Sequence, residues 1–263
     1  MKKLLKTISI FAFTFIMVAC SALFVACGKN KNKKGNDDTD TTVSTTVEVS
    51  NYAEFKDAVV NGTCETIKLK NDIDIRTEGM TDDEFFIFKR TVTLDLNGKT
   101  ISNSVEFFSE TTHHYGVLEI GEGANVTIKG NGKVASKADD AYAVSVSKGG
   151  KVKIENGEFV GNITSIYVEK GIAEINGGKF SINQLDNVPD PETGLTGYGY
   201  ILNFKDKNAS ESKFIVKGGQ FVNFNPARNL AEGPDTNFLS DGYQSVRTEV
   251  DGKFIYTVTA VTE

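Results

Sequence analysis

The sequence predicts an all-β chain, wound as a single-stranded right-handed parallel β-helix. This solenoid is closed by a capping helix at its N-terminal end and by a β-hairpin at its C-terminal end. Three observations predict it: a short strand-turn-strand unit repeats along the chain, its strands alternate apolar and polar residues, and each end of the repeat carries the signal of a different element. Val152-Lys153-Ile154-Glu155-Asn156-Gly157-Glu158-Phe159 recurs as Ala173-Glu174-Ile175-Asn176-Gly177-Gly178-Lys179-Phe180 and as Phe214-Ile215-Val216-Lys217-Gly218-Gly219-Gln220-Phe221. Looser copies run from Val126 to Val134 and from Leu94 to Ile101. Glycines 98, 132, 157, 178 and 219 mark the corner of each copy; the shortest spacing, between Gly157 and Gly178, is one coil, and the longer ones are coils with insertions.

In chain order, the first element is an address. Lys2, Lys3 and Lys6 precede an apolar run over 8–26, the pattern of a bacterial export signal, with an uncleaved membrane anchor as the competing reading. Phe24-Val25-Ala26-Cys27 resembles the lipobox of bacterial lipoproteins, in which the cysteine is lipidated and becomes the new N-terminus; Met17-Val18-Ala19-Cys20 is a second candidate. Cys27 is preferred because Gly28 and a polar stretch follow it at once, whereas a start at Cys20 leaves an apolar remnant. The expected organisation is therefore a lipoprotein signal peptide over 1–26, a lipidated cysteine and flexible tether over 27–46, and one domain over 47–263. Such a chain is exported and held to the membrane of the bacterial envelope by its lipid. The whole chain has net charge −6, and loss of three lysines with the signal takes it to −9, which leaves no footprint for nucleic acid.

Asn51-Tyr52-Ala53-Glu54 has capping-box spacing and opens an amphipathic helix with Phe55, Ala58 and Val59 on one face, ending near Gly62. Cys64 is expected to be buried and inert. Each repeat has an upstream strand, as in Tyr115 to Ile120, Tyr142 to Val146, Ser165 to Val168 and Tyr200 to Phe204, so three strands make a coil. Asp251-Gly252 joins two alternating runs, Tyr243 to Val250 and Lys253 to Val258, as a type I′ hairpin that closes the far end.

The capping helix, the Thr66-Ile67-Lys68-Leu69 strand, the Leu94-Asp95-Leu96-Asn97-Gly98-Lys99 turn and the Gly-Gly-x-Phe coils resemble right-handed parallel β-helix proteins of the pectate-lyase-like superfamily. The tail from Asn223 to Tyr243 is similar to that of β-helix proteins on gut bacteria and in their phages. The resemblance covers about 47–263 and implies architecture more than chemistry, since one fold hosts lyases, hydrolases and adhesins. It implies that an enzyme of this kind would stack aspartates on an outward face to hold Ca²⁺ beside an arginine or lysine base, or pair carboxylates as acid and base.

Aligning the repeats gives outward columns Asp95, Thr127, Lys153, Glu174, Ile215 and Glu119, Ser145, Tyr167, Asn203; neither presents a pair of acids. None of the arginines falls in the regular coils. The long insertions, at 102–114, 135–141, 181–199 and 222–242, all follow the Gly-x-Phe strand, so they should leave the stack along one edge. That edge carries the candidate binding residues. His113 and His114 are adjacent and point apart on an extended segment; Asp139 and Asp140 stand on the next loop; Asp186, Asp190 and Glu192 form an acidic loop whose oxygens suit Ca²⁺ or plain solvation. Tyr198 and Tyr200, with Tyr167, offer flat faces to sugar rings. The expected function is that of a non-catalytic, lipid-anchored surface protein, adhesin-like, binding a glycan or cell-surface protein without a required cofactor. A polysaccharide lyase or glycoside hydrolase is the alternative.

Overall fold

The computed structural model describes residues 45–75, 86–103, 115–137, 141–185, 189, 193–205, 210–229, 232–233 and 236–262. Cys20, Cys27, His113, His114, Asp139, Asp140, Asp186, Asp190 and Glu192 lie outside the described residues. The described residues are mostly strand with one helix, and their strands build three sheets in turn.

The first sheet has seven parallel strands in the order β1 (Thr46–Val49), β2 (Thr66–Leu69), β4 (Thr91–Asp95), β7 (Asn125–Lys129), β10 (Lys151–Ile154), β13 (Ile172–Ile175) and β16 (Lys213–Val216). The second has eight. Six are parallel: β3 (Ile73–Asp74), β5 (Thr100–Ser102), β8 (Lys133–Ala135), β11 (Glu158–Gly161), β14 (Lys179–Ile182) and β17 (Gln220–Val222). The antiparallel hairpin β18 (Tyr243–Val250) and β19 (Lys253–Ala260) completes it, with β19 against β17. The third sheet stacks four parallel strands, β6 (Gly116–Ile120), β9 (Tyr142–Ser147), β12 (Thr164–Glu169) and β15 (Leu202–Phe204). Each strand thus pairs with its counterpart one coil away.

Period-two patterning explains the pairing. In the first sheet Ile128, Ile154, Ile175 and Val216 are cross-strand partners and all are fully buried, while Lys153 and Glu174 between them face outward. Inside the second sheet Phe159, Phe180 and Phe221 stack with ring centroids 5.4 and 4.9 Å apart. Gly178 reaches φ +99° at the corner that precedes this phenylalanine column, a conformation that a Cβ would strain. The expected glycine corner fails at Gly132: there the positive φ belongs to Gly130, at +91°.

Both end elements form. Helix α1 (Tyr52–Val60) is capped by the Asn51 side chain, which accepts from the Glu54 amide, and buries Phe55, Ala58 and Val59. Its Glu54 carboxylate accepts from the Ser50 amide, one residue before the position a capping box uses. Arg90, just ahead of β4, donates to the Ala58 and Cys64 carbonyls at 2.8 and 2.6 Å and so ties the helix end to a coil, with Cys64 buried as expected. At the other end Asp251 and Gly252 have φ of 50° and 72°, as a type I′ turn requires.

Two expectations need correction. The column partner of Thr127 is Thr93, not Asp95, because Val92-Thr93-Leu94 aligns with Val126-Thr127-Ile128; Asp95 pairs with Lys129. Glu48, Lys68, Asp95 and Lys129 then make a column of alternating charge, and Lys68 bridges Glu48 at 3.5 Å. The insertions also do not all share one corner. Those at 102–114, 135–141 and 181–199 do lie between a second-sheet strand and a third-sheet strand, but 222–242 runs between β17 and β18, both of the second sheet, and a further insertion, 205–212, lies between β15 and β16.

Candidate functional site

Over β6, β9 and β12 the third sheet differs from the first in being buried on both faces. Every residue of β6 is buried, as are the first five of β9 and of β12, whereas the strands of the first sheet alternate. The column Glu119, Ser145, Tyr167, Asn203 has the predicted register. Its members, however, are not a plain solvent face: Glu119 and Ser145 are 3% exposed and Tyr167 is 8% exposed.

Glu119 is an acid set among Gly116, Val117, Leu118 and Ile120, and a buried carboxylate has to find donors. Its Oε1 accepts from the Tyr115 and Gly116 amides, both at 2.7 Å, which closes the strand start into a tight loop. The Ser145 hydroxyl adds a further bond. Burial outweighs these three bonds, and with the charge of Glu169 it pushes the Glu119 carboxyl up to about 7. Beside it Lys205 Nζ lies 2.6 Å from Glu169 Oε1, and this contact raises the Lys205 ammonium above its ordinary value.

These groups line one cavity of about 500 Å³, together with Tyr115, Lys89 and Lys148. Tyr115, Tyr142 and Tyr167 form a ladder along the coils, with centroids 5.9 and 4.6 Å apart. Burial, then the neighbouring phenols and Glu169, raises the Tyr167 hydroxyl, so it stays protonated. The cavity therefore brings the Lys89, Lys148 and Lys205 cations together with the Glu119 carboxyl and the Tyr115 phenol, a combination suited to a polar, hydroxyl-rich ligand.

The column Glu119, Ser145, Tyr167, Asn203 holds a single acid, and Glu169, outside that column, lines the same cavity and helps to raise the Glu119 carboxyl. Glu169 lies beside Ser147, two residues along from the Glu119 column, so alignment within one column does not bring the two acids together. A lone acid in an otherwise apolar strand was the signal available. Tyr198 and Tyr200 are both half-buried, and Tyr198 lines a different cavity, about 450 Å³, on the second sheet with Lys133, Glu158 and Lys179. Tyr167 and Tyr198 are thus not brought together. Among the described residues no three His, Cys, Asp or Glu side chains gather to hold a metal ion.

No curated protein and no solved structure matches the chain. A family model does: residues 46–225 match the family described as "Putative pectate lyase-like adhesive domain", a span that begins at β1 and ends just after β17. The match covers the parallel coils of all three sheets and more than half of the chain, so this protein belongs to the pectate lyase-like adhesive domain family, which suggests an adhesin-like role at a surface.

Proposed function

We propose that the protein is a non-catalytic, lipid-anchored adhesin of the bacterial envelope. Its three sheets wind as one right-handed parallel β-helix, the hand that a chain of L-residues takes in crossing between parallel strands. Cys27, with Cys20 as the alternative, carries the lipid, and the tether over 28–46 holds the domain off the membrane. The ligand is a glycan or a surface protein. It is held along the third-sheet cavity and by the corner loops with His113, His114, Asp139, Asp140, Asp186, Asp190, Glu192, Tyr198 and Tyr200.

The observation that carries this reading is the family match over 46–225, whose span coincides with the coils that build the cavity. The test is a glycan array probed with the full chain in detergent, alongside Lys205→Ala and Lys148→Ala. Binding that both variants weaken supports the cavity; a full chain that retains nothing from the array or from intact cells refutes the adhesin.

A second reading has its own support. A carboxyl near 7 beside a Glu169–Lys205 pair has the makings of acid and base groups for a polysaccharide lyase or glycoside hydrolase. Against it, Oε1 of Glu119 already accepts from two amides of its own strand start, and Ser145 bonds the same carboxyl. Release of unsaturated or reducing ends from a polysaccharide panel, lost in Glu119→Gln, would replace the adhesin reading with this one.

A further inference from the structure

The C-terminal hairpin lies beyond the family match, which ends at residue 225, and it carries a feature of this chain's own. Among the described strands, β18 has β19 on one side and no strand on the other. It runs eight residues with β19 in unbroken register, from Tyr243 opposite Ala260 to Val250 opposite Lys253. The two-residue turn at Asp251-Gly252 makes Val250 and Lys253 a hydrogen-bonded pair, so the even-numbered residues of β18 bond to β19. Ser245, Arg247 and Glu249 then turn their amides and carbonyls to the free edge; the Tyr243 amide is already given to Ser240.

Free edges of this length are usually blocked by charge, proline or a bulge. This one has charges, but in an order that fits its own copy. Arg247 and Glu249 flank Thr248 on one face, while Val246 and Val250, 44% and 54% exposed, flank it on the other. A second β18 laid antiparallel about a two-fold axis at Thr248 sets each Arg247 opposite a Glu249 and each Val246 opposite a Val250. Moving the axis to Arg247 would oppose like charges. Moving it to Val246 would set Arg247 against Ser245 and Glu249 against Tyr243, so that neither charge faces an unlike one across the axis. Arg247 is held 5.1 Å over the ring of Phe254, the residue paired with Glu249, so its guanidinium already lies along this row.

We infer that β18 is the interface through which a second copy of this chain docks, antiparallel and centred on Thr248, joining two second sheets into one. This does not depend on what the third-sheet cavity binds. The valine pairs fall at non-hydrogen-bonded positions, where Cα atoms approach to about 4.5 Å, and the Arg–Glu pairs at the hydrogen-bonded ones.

The test is sedimentation of the full chain in detergent micelles at about 100 µM. The parent should show twice the protein mass of one chain. Arg247→Glu and Glu249→Arg should each halve that mass, and an equimolar mixture of the two variants should restore it, since unlike copies regain both ion pairs. Under mild oxidation Thr248→Cys should cross-link to its counterpart, because the axis places the two residues at disulfide distance; Val246→Cys should not. Thermal transitions of the variants, which alter only exposed side chains, show that each is folded. A parent that sediments as one chain, an Arg247→Glu variant that keeps the doubled mass, or cross-linking of Val246→Cys in place of Thr248→Cys would each overturn the interface.

Discussion

Replacing Glu119 by glutamine tests whether a buried acid tunes the stability of the third sheet. The folded protein holds the Glu119 proton more tightly than the unfolded chain does, at about 7 against 4.5. A group raised in this sense contributes stability that is fully present below about 4.5 and is lost as pH rises through about 7. At about 1.4 kcal/mol per pH unit the loss by pH 8 is roughly 3 kcal/mol. Glutamine keeps the acceptor for the Tyr115 and Gly116 amides and can donate to the Ser145 hydroxyl, but it carries no charge to bury. Urea denaturation from pH 5 to 8.5 should therefore show the parent losing stability across the window while Glu119→Gln stays level, the two curves parting by roughly 3 kcal/mol at pH 8. Glu174 and Lys205 act outside the window: burial alone would raise Glu174, but Lys217, Asn176 and Lys153 hold it below its ordinary value, and Lys205 is shifted upward. Parallel curves, or a parent that gains stability toward pH 8 relative to the variant, would refute the burial argument.

Other outcomes follow from register and address. Ile154→Asp or Ile175→Asp sets an unpaired charge between fully buried partners and should cost more than about 4 kcal/mol, enough to prevent folding, as circular dichroism would show. Lys153→Thr, one residue away, gives up a half-exposed bridge to Glu155 at 3.2 Å and a favourable charge near Glu174, and should cost within about 1 kcal/mol by the same measurement. Cys27→Ala should move the protein from the membrane to the soluble fraction; retention with unchanged, uncleaved mass would show a membrane-spanning anchor instead. Shortening 185–195 to a few glycines should leave the melting temperature nearly unchanged, because closure entropy varies slowly with loop length, and should abolish ligand capture if Asp186, Asp190 and Glu192 contact the ligand.

The coils were legible because their rule is local. Alternation in Val152-Lys153-Ile154 and the Gly-Gly-x-Phe corners fix which face is inside, and the capping residue Asn51 and the Asp251-Gly252 turn announce the ends. What depends on neighbouring coils was harder to read. Asp95 was misplaced by two residues because Leu94 and Leu96 are both buried, so the apolar pattern alone fits either register. Strand β1 was missed because Thr46 to Val49 joins a polar stretch and is recognisable only by its pairing with β2. The cavity was not foreseen because Glu119, Glu169 and Lys205 come from separate coils, and period-two patterning marks a side chain as outward without saying that it is covered.

The uniform register has a consequence for how such a protein changes over generations. Lys133, Glu158, Lys179 and Gln220 occupy one column, so the chain may be cut after Gly157 and rejoined at Lys179 with each remaining strand still facing a legitimate partner. Loss or duplication of that segment alters the height of the stack by about 4.8 Å, the spacing between neighbouring strands, and leaves its cross-section alone. Height and surface are thereby separable traits: unequal recombination between coils adjusts the length of the stack, while point substitution on the loops and in the third sheet alters its surface chemistry.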